Sequence, residues 1–111
     1  MTFLYLNSDQ MGQGDAELGK KLLDLFLQKL AESDVQIDLI GCVNNGINLT
    51  TTGSTVLDSL QKLQDQGARI ATCGTCLDFH KKRDDLLIGE IGSMDGTVQV
   101  MATADKIIRP C

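Results

Sequence analysis

Short apolar segments alternate with longer amphipathic segments along the chain, and this alternation constrains the fold more than any other feature. The apolar segments, typical of buried strands, are residues 2–6, 35–43, 69–72, 86–91 and 106–108. Helical patterns between them begin at Asp15, Ser54, residue 77 and Ser93. The alternation predicts an α/β domain whose largely parallel sheet is covered on both faces.

Two of the predicted helices carry a clear apolar face. In the helix that ends at Ser33–Asp34, the face is formed by Leu18, Leu22, Phe26 and Leu30, widened by Leu23 and Leu27. In the last helix it is formed by Met94, Val98, Met101 and Ala102. The face of the first of these helices is broad, as expected for a helix that lies on a sheet.

Length and charge limit the function. The 111 residues, 42% of them hydrophobic, suffice for a single domain covering residues 1–111. Ten basic and fifteen acidic residues give a net charge of −5, which argues against binding to nucleic acid or to an anionic membrane surface. There is no bilayer-spanning apolar stretch, and no basic residue precedes the amino-terminal apolar run, unlike a signal peptide. We therefore expect a cytoplasmic protein.

Three loops follow predicted strands, at residues 7–14, 44–53 and 73–76. Because the carboxyl ends of parallel strands lie at one edge of the sheet, these loops are expected to meet there. Ligand and active sites of such sheets form at this edge. The sequence therefore places the candidate site at these three loops.

The strongest chemical signal is Cys73-Gly74-Thr75-Cys76, between a predicted strand and a predicted helix. A thiol at a helix start faces unpaired backbone N–H groups, which favour the nucleophilic thiolate. Gly74 permits a tight turn there, Asp78 opposes the thiolate, and a protonated His80 would favour it. We predict that Cys73 and Cys76 are reactive or bind metal, with Gly74, Thr75 and His80 beside them.

Three kinds of chemistry are open to this pair of cysteines. A thioredoxin-type redox site is disfavoured, because such sites are usually completed by a proline and the only proline is Pro110. A zinc site needs four ligands, so His80 with Cys42 or Cys111 would have to join the pair, and no second CxxC exists. A persulfide carrier needs neither metal nor cofactor, and we expect neither.

Uncharged polar residues accompany the other two loops. Asn7, Asn44, Asn45 and the threonines at 50–52 could shape a small polar pocket or simply cap turns. The Gly12-Gln-Gly14 turn lacks the third glycine of a dinucleotide fingerprint, so these are ordinary loop glycines. Cys42 lies in a buried strand pattern and is expected in the core. The charged run 81–85 is expected to be a solvated face.

The whole chain resembles the DsrE/DsrF-like family of sulfur-relay proteins, and most closely the carboxyl-terminal domain of YedF-type proteins linked to selenium metabolism. The resemblance is carried by LYLNSDQMGQGDAELGKKLL, by NNGINLTTTGSTVLDSLQKLQDQGARIATCGTCLDF and by IGEIGSMDGTVQVMATADKII. It implies a three-layer α/β/α sandwich with a largely parallel five-stranded sheet, assembled as a trimer or hexamer. It also implies that Cys73 carries a persulfide and that Cys76 is the second thiol.

Two departures limit the resemblance. Relatives of the YchN type continue to Arg-Gly after the cysteine pair, whereas this chain has His80-Lys81. YedF-type proteins also carry an amino-terminal TusA-like sulfur-carrier domain that this sequence does not contain. A TusA-like protein is accordingly a possible partner, and the chain is expected to be either a stand-alone protein or one domain of a longer one.

The sequence thus predicts a sulfurtransferase-like protein that handles sulfane sulfur, or selenium, through Cys73. The alternative is a non-catalytic module that binds a small ligand or a partner at the same pocket. Some apolar residues have no evident place in one small core and suggest subunit contacts: Met11, Ile47, Leu49 and residues 86–88. We therefore expect a symmetric homo-oligomer with Cys73 near a subunit boundary.

Overall fold

The computed structural model describes all 111 residues and contains five strands and four α-helices. The strands are β1 (Thr2–Leu6), β2 (Leu39–Cys42), β3 (Arg69–Cys73), β4 (Glu90–Gly92) and β5 (Lys106–Ile108). The helices are α1 (Ala16–Glu32), α2 (Leu57–Asp65), α3 (Gly74–Phe79) and α4 (Met94–Thr103). Short 3-10 helices cover Asn44–Leu49 and Arg83–Asp85. No helix combines the length and the apolar character needed to cross a membrane.

All five strands are parallel and form one sheet in the order β4-β3-β2-β1-β5. The predicted α/β class with a largely parallel sheet is therefore confirmed. The carboxyl ends of all strands lie at one edge, because every neighbouring pair runs in the same direction. That edge carries the ends of β1, β2 and β3, the three strands whose loops were expected to meet.

One face of the sheet holds the main core. Leu4, Leu6, Ile40 and Ile70 pack there against α1 and α2, and all sixteen residues of this cluster are buried. The contacting face of α1 is Leu23, Leu27 and Leu30, with Phe26 half-buried, so the predicted stripe was wrong at Leu18 and Leu22, which are exposed. The helix begins as predicted, because the Asp15 side chain accepts a 2.9 Å hydrogen bond from the Leu18 N–H.

The other face of the sheet is covered more loosely. Helix α4 joins β4 to β5, which lie at opposite edges of the sheet, and none of its residues is buried. Its half-buried residues Thr97 and Val100 face the sheet across a cleft. The apolar face formed by Met94, Val98 and Met101 is therefore not the face that packs on the sheet, since all three are exposed to solvent.

Several strands and helices begin or end at other residues than predicted, each for a physical reason. Residues 86–87 do not join the main sheet, because Leu86 bridges Thr51 and the Leu87 N–H donates to the Thr50 carbonyl. The helix expected over 77–84 begins earlier, at Gly74, and a left-handed Lys81 (φ 55°) follows its end. Ser54 does not cap α2 directly, since its hydroxyl accepts from the Val56 N–H before the helix begins.

The apolar residues thought to lack a place in the core mostly have one. Ile47, Leu49 and Ile88 are buried, and Met11 packs against the main core. The 3-10 helix accounts for the first two, because it folds part of the expected loop back onto the sheet end. Among these residues only Leu87 is largely exposed.

Candidate functional site

The three predicted loops do meet at the carboxyl edge of the sheet. The Asn48 amide donates to the Asp9 carboxylate at 3.0 Å, which joins the second loop to the first. The backbone N–H of Asn44 donates to the Sγ of Cys76 at 3.2 Å, which joins the second loop to the cysteine pair. A methyl group at Gly46 would lie 2.1 Å from the Leu6 carbonyl oxygen, so only glycine permits this close approach.

A cleft of about 390 Å³ lies between the open face of the sheet and α4. Small residues stand on three neighbouring strands of its floor, at Gly41, Ala71 and Gly92, and the Phe3 ring lies over Gly41. Gly92 is the register partner of Cys73, so no side chain stands beside the cysteine on that strand. The remaining lining residues are Phe3, Leu39, Cys42, Val43, Arg69, Cys73, Glu90, Ile91, Ser93, Gly96, Thr97 and Val100.

Cys73 is the last residue of β3 and lines this cleft with only 6% of its surface exposed. It immediately precedes α3, as predicted, but its side chain accepts no hydrogen bond from the first turn. The expected stabilisation of a thiolate by helix N–H groups is therefore not made in this structure. Cys73 is therefore distinguished by its burial at the cleft and not by hydrogen bonds from the start of a helix.

Cys76 lies inside α3 and is half-buried, and both cysteines are free thiols. Burial raises the pKa of the Cys76 thiol, and the Cys73 thiol raises it further, whereas the hydrogen bond from the Asn44 N–H acts in the opposite direction. These influences together lower the fraction of Cys76 thiolate at neutral pH relative to that of a free cysteine. The two cysteines therefore differ in surroundings as well as in exposure.

An ion pair stands beside the cysteine turn. Arg83 binds the Asp78 carboxylate with two hydrogen bonds, from Nε at 2.7 Å and from Nη2 at 2.9 Å. This guanidinium holds the pKa of Asp78 below its usual range, and it offsets the carboxylate charge that we expected to oppose a thiolate. A methyl group on Gly74 would lie 3.1 Å from the same Nη2. Part of the charged run 81–85 is thus paired rather than merely solvated.

This architecture is shared with two solved structures. MTH1491 from Methanobacterium thermoautotrophicum, a protein of unknown function, superposes with a TM-score of 0.72 at 21% identity, covering 98% of this chain and 97% of that chain. YchN from E. coli superposes with a TM-score of 0.64 at 19% identity, covering 97% of each chain. The chain has the YchN-like fold. No family model and no curated protein matches it.

The expected DsrE/YchN-like architecture is therefore confirmed at the level of the fold. The likeness to YedF-type proteins, like the sulfur chemistry that it implies, stays a prediction. The shared fold extends over nearly the whole of both proteins.

Other predicted site residues fall outside the cleft of this YchN-like domain. His80 follows the end of α3, exposed, with its ring edge-on to Phe79 at 5.0 Å. Asn45 and Thr75 are exposed, and Asn7 is half-buried without lining the cleft. Asn44 contributes through its backbone rather than its side chain. No group of three or more histidine, cysteine or acidic side chains is placed to hold a metal ion.

The threonines and Cys42 have structural roles. The Thr50 hydroxyl is 2.7 Å from that of Thr72, and the Thr51 hydroxyl donates to the Ile47 carbonyl at 2.9 Å, so both are satisfied inside the fold. Cys42 is fully buried, and burial raises its pKa to about 12, in agreement with its predicted core position. Arg69, Glu90 and the α4 residues of the cleft were not predicted as site residues, because only strand register and helix placement bring them together.

Proposed function

We propose that this protein is a sulfurtransferase-like persulfide carrier with Cys73 as the residue that accepts sulfane sulfur. The observation that carries the proposal is the position of Cys73, a buried nucleophile at a cleft large enough for a small sulfur donor. A second thiol, Cys76, follows within the next helix. The resemblance of the CGTC segment to sulfur-relay proteins supports the same assignment.

The transfer is a thiol–persulfide exchange. The Cys73 thiolate attacks the outer sulfur of a donor persulfide, R–S–SH, and the donor S–S bond breaks as the new one forms. The products are Cys73–S–SH and R–S⁻, which takes up the proton that the Cys73 thiol lost. The same exchange is open to a selenium atom carried in place of the outer sulfur.

Cys76 determines how long the persulfide lasts. Its thiolate could attack the inner sulfur of Cys73–S–SH, which gives a Cys73–Cys76 disulfide and releases hydrogen sulfide. Because the pKa of Cys76 is raised, little thiolate is present at neutral pH and this step is slow. The arrangement therefore favours passing the sulfur to an acceptor over losing it as sulfide.

The test is the intact mass of the reduced protein after brief exposure to inorganic polysulfide. We expect the wild-type protein to gain the mass of one sulfur atom and the Cys73→Ser protein to gain none. Cys111→Ser, which alters a half-buried cysteine outside the cleft, is the matched control and should load like the wild type. Equal loading of the Cys73→Ser protein contradicts the proposal. Binding of a ligand without sulfur transfer would favour the non-catalytic module instead.

We also propose that the protein self-associates through the outer face of α4. Met94, Val98 and Met101 lie on this face and are exposed. An apolar helix face left in water is typical of a surface that another chain covers. A symmetric assembly, such as the expected trimer or hexamer, would bury it.

A further inference from the structure

A second cavity, of about 370 Å³, lies at the carboxyl edge of the sheet and shares no lining residue with the cleft at Cys73. It is formed by the loop after β1, the first half of α1, residues 48–55 and the segment after α3. Leu49 is its only hydrophobic lining residue, so we call it the polar cavity. Open parallel sheets bind their ligands outside the carboxyl ends of the strands, which is where this cavity lies.

The wall of the polar cavity carries charges of both signs. Its charged residues are Lys20, Lys82, Asp9 and Asp24. None of the four forms an ion pair, and Asp24 accepts a 2.9 Å hydrogen bond from the Thr55 hydroxyl instead. A simple anion in this cavity would be repelled by two carboxylates, and a metal cation by two ammonium groups. A ligand that carries one charge of each sign can avoid both repulsions.

The side chain of Asn48 holds one charge of each sign in place. Its Nδ2 donates to Oδ2 of Asp9 at 3.0 Å, and its Oδ1 accepts from Nζ of Lys82 at 2.7 Å. All three residues are half-buried. The nitrogen and oxygen of an amide are about 2.2 Å apart, so the Asp9 oxygen and the Lys82 nitrogen are separated by at most about 8 Å. Asn48 therefore keeps the two charges near each other without letting them pair.

Both charged groups keep unused hydrogen-bonding capacity. The Lys82 ammonium has three N–H groups, and Asn48 is its only protein acceptor. The Asp9 carboxylate has a second oxygen, Oδ1, to which no protein group donates. Because both residues line the polar cavity, a ligand can bind them together and leave the Asn48 hydrogen bonds in place.

We propose that the polar cavity binds a small free α-amino acid in its zwitterionic form. The ammonium group of the ligand binds Asp9 and its carboxylate binds Lys82. In an α-amino acid these two groups are about 3 Å apart, and charge-assisted hydrogen bonds are about 2.8 Å long, so the ligand can bridge a gap of up to about 8 Å. A polar wall suits a small polar side chain, such as a hydroxymethyl group. This inference goes beyond the proposed function of Cys73 and does not depend on it.

The test is a titration at pH 7 and low salt, followed through the backbone amide signals in NMR spectra. The probes are L-serine, ethanolamine, which lacks the carboxylate, and 3-hydroxypropionate, which lacks the ammonium group. We expect L-serine to bind with a dissociation constant below about 1 mM, and each one-charge analogue to bind about tenfold more weakly. 5-Aminopentanoate has both charges at a larger separation and should also bind about tenfold more weakly. The signals that move should be those of residues 48–55 and Lys82.

Two conservative variants assign each charge of the ligand to its residue. Lys82→Gln should weaken L-serine binding about tenfold and leave ethanolamine binding unchanged. Asp9→Asn should weaken L-serine binding about tenfold and leave 3-hydroxypropionate binding unchanged. Both replacements can still hydrogen-bond to Asn48, so a loss of affinity reports the charge. Lys21→Gln and Asp84→Asn, at exposed positions outside the polar cavity, are the matched controls and should bind L-serine like the wild type.

Each alternative outcome overturns the proposal. If L-serine at 10 mM moves none of these amide signals, the polar cavity is not an amino-acid site. If 3-hydroxypropionate binds as tightly as L-serine, the ligand is a simple anion, and if ethanolamine does, it is a simple cation. Binding of L-serine that neither Lys82→Gln nor Asp9→Asn weakens would place the amino acid elsewhere on the protein.

Discussion

The backbone N–H of Asn44 donates a 3.2 Å hydrogen bond to the Sγ of Cys76. Asn44, two residues after the end of β2, adopts a left-handed conformation (φ 51°), which asparagine tolerates better than most residues. The bond ties the second thiol of the CGTC segment to the neighbouring strand end. Of the two cysteines in this segment, only Cys73 lines the cleft.

The first prediction concerns the pKa of Cys76, which burial and the Cys73 thiol both raise. Alkylation of Cys76 should be slow at neutral pH and should accelerate about tenfold per pH unit well beyond about pH 8.5, the usual pKa of a cysteine thiol. In Cys73→Ala the pH midpoint of alkylation should move down, because one of the raising influences is gone. The measurement is peptide-resolved alkylation rate against pH. A midpoint that stays in place or rises would contradict the assignment.

The second prediction concerns Cys42, whose pKa burial raises to about 12. The unfolded chain loses this proton near pH 8.5, before the folded protein does, so stability is full below that pH and falls as the pH rises towards 12. The contribution of Cys42 to this loss is about 1.4 kcal/mol per pH unit in that window. In Cys42→Ala the cavity lowers the free energy of unfolding at pH 7 by about 1 kcal/mol, but the alkaline slope should become shallower.

Urea unfolding of the two proteins at a series of alkaline pH values measures this difference. Cys73→Ala is the control, because it also removes a buried thiol from the fold, and Cys73 is not among the groups that raise the pKa of Cys42. An alkaline slope that is the same in the wild type and in Cys42→Ala would show that Cys42 ionises freely in the folded protein.

The third prediction concerns the ion pair that Arg83 forms with Asp78. Because Arg83 lowers the pKa of Asp78 in the folded protein, the pair stabilises the fold above the unfolded value of about 3.9, and this stabilisation disappears as the pH falls through the folded value. Asp78→Asn should therefore lower the urea midpoint at neutral pH and match the wild type in strong acid. Asp34→Asn, at an exposed carboxylate with no ion pair, should show no such convergence.

The fourth prediction concerns Asn48, which links two loops and a lysine. Its amide donates to Asp9 at 3.0 Å and accepts from Lys82 Nζ at 2.7 Å. Asn48→Ala removes both bonds and should lower the free energy of unfolding by about 1–2 kcal/mol. Amide exchange within residues 44–49 should accelerate as well. Asn45→Ala, at an exposed position of the same 3-10 helix, should change neither quantity.

The sequence was sufficient for the strand and helix alternation, for the edge at which the loops meet, and for the cysteine turn. The sequence was not sufficient for contacts that depend on how separate strands and helices are placed in the fold. The stripe formed by Met94, Val98 and Met101 has the periodicity of a core-facing helix, and periodicity alone does not say whether a sheet or another chain covers it. The Arg69–Glu90 pair depends on the register of β3 and β4, and Arg83–Asp78 depends on the turn after α3.

The last prediction tests whether another chain covers that stripe. Val98, 61% exposed, lies at its middle, and burying a carboxylate there without a partner is strongly unfavourable. Val98→Glu should therefore convert an oligomer into single chains at micromolar concentration, as measured by light scattering coupled to size exclusion. Gln99→Glu places the same charge on the neighbouring polar side of α4 and should leave the assembly intact. A wild-type protein that elutes as a single chain would refute self-association and assign the stripe to a different partner.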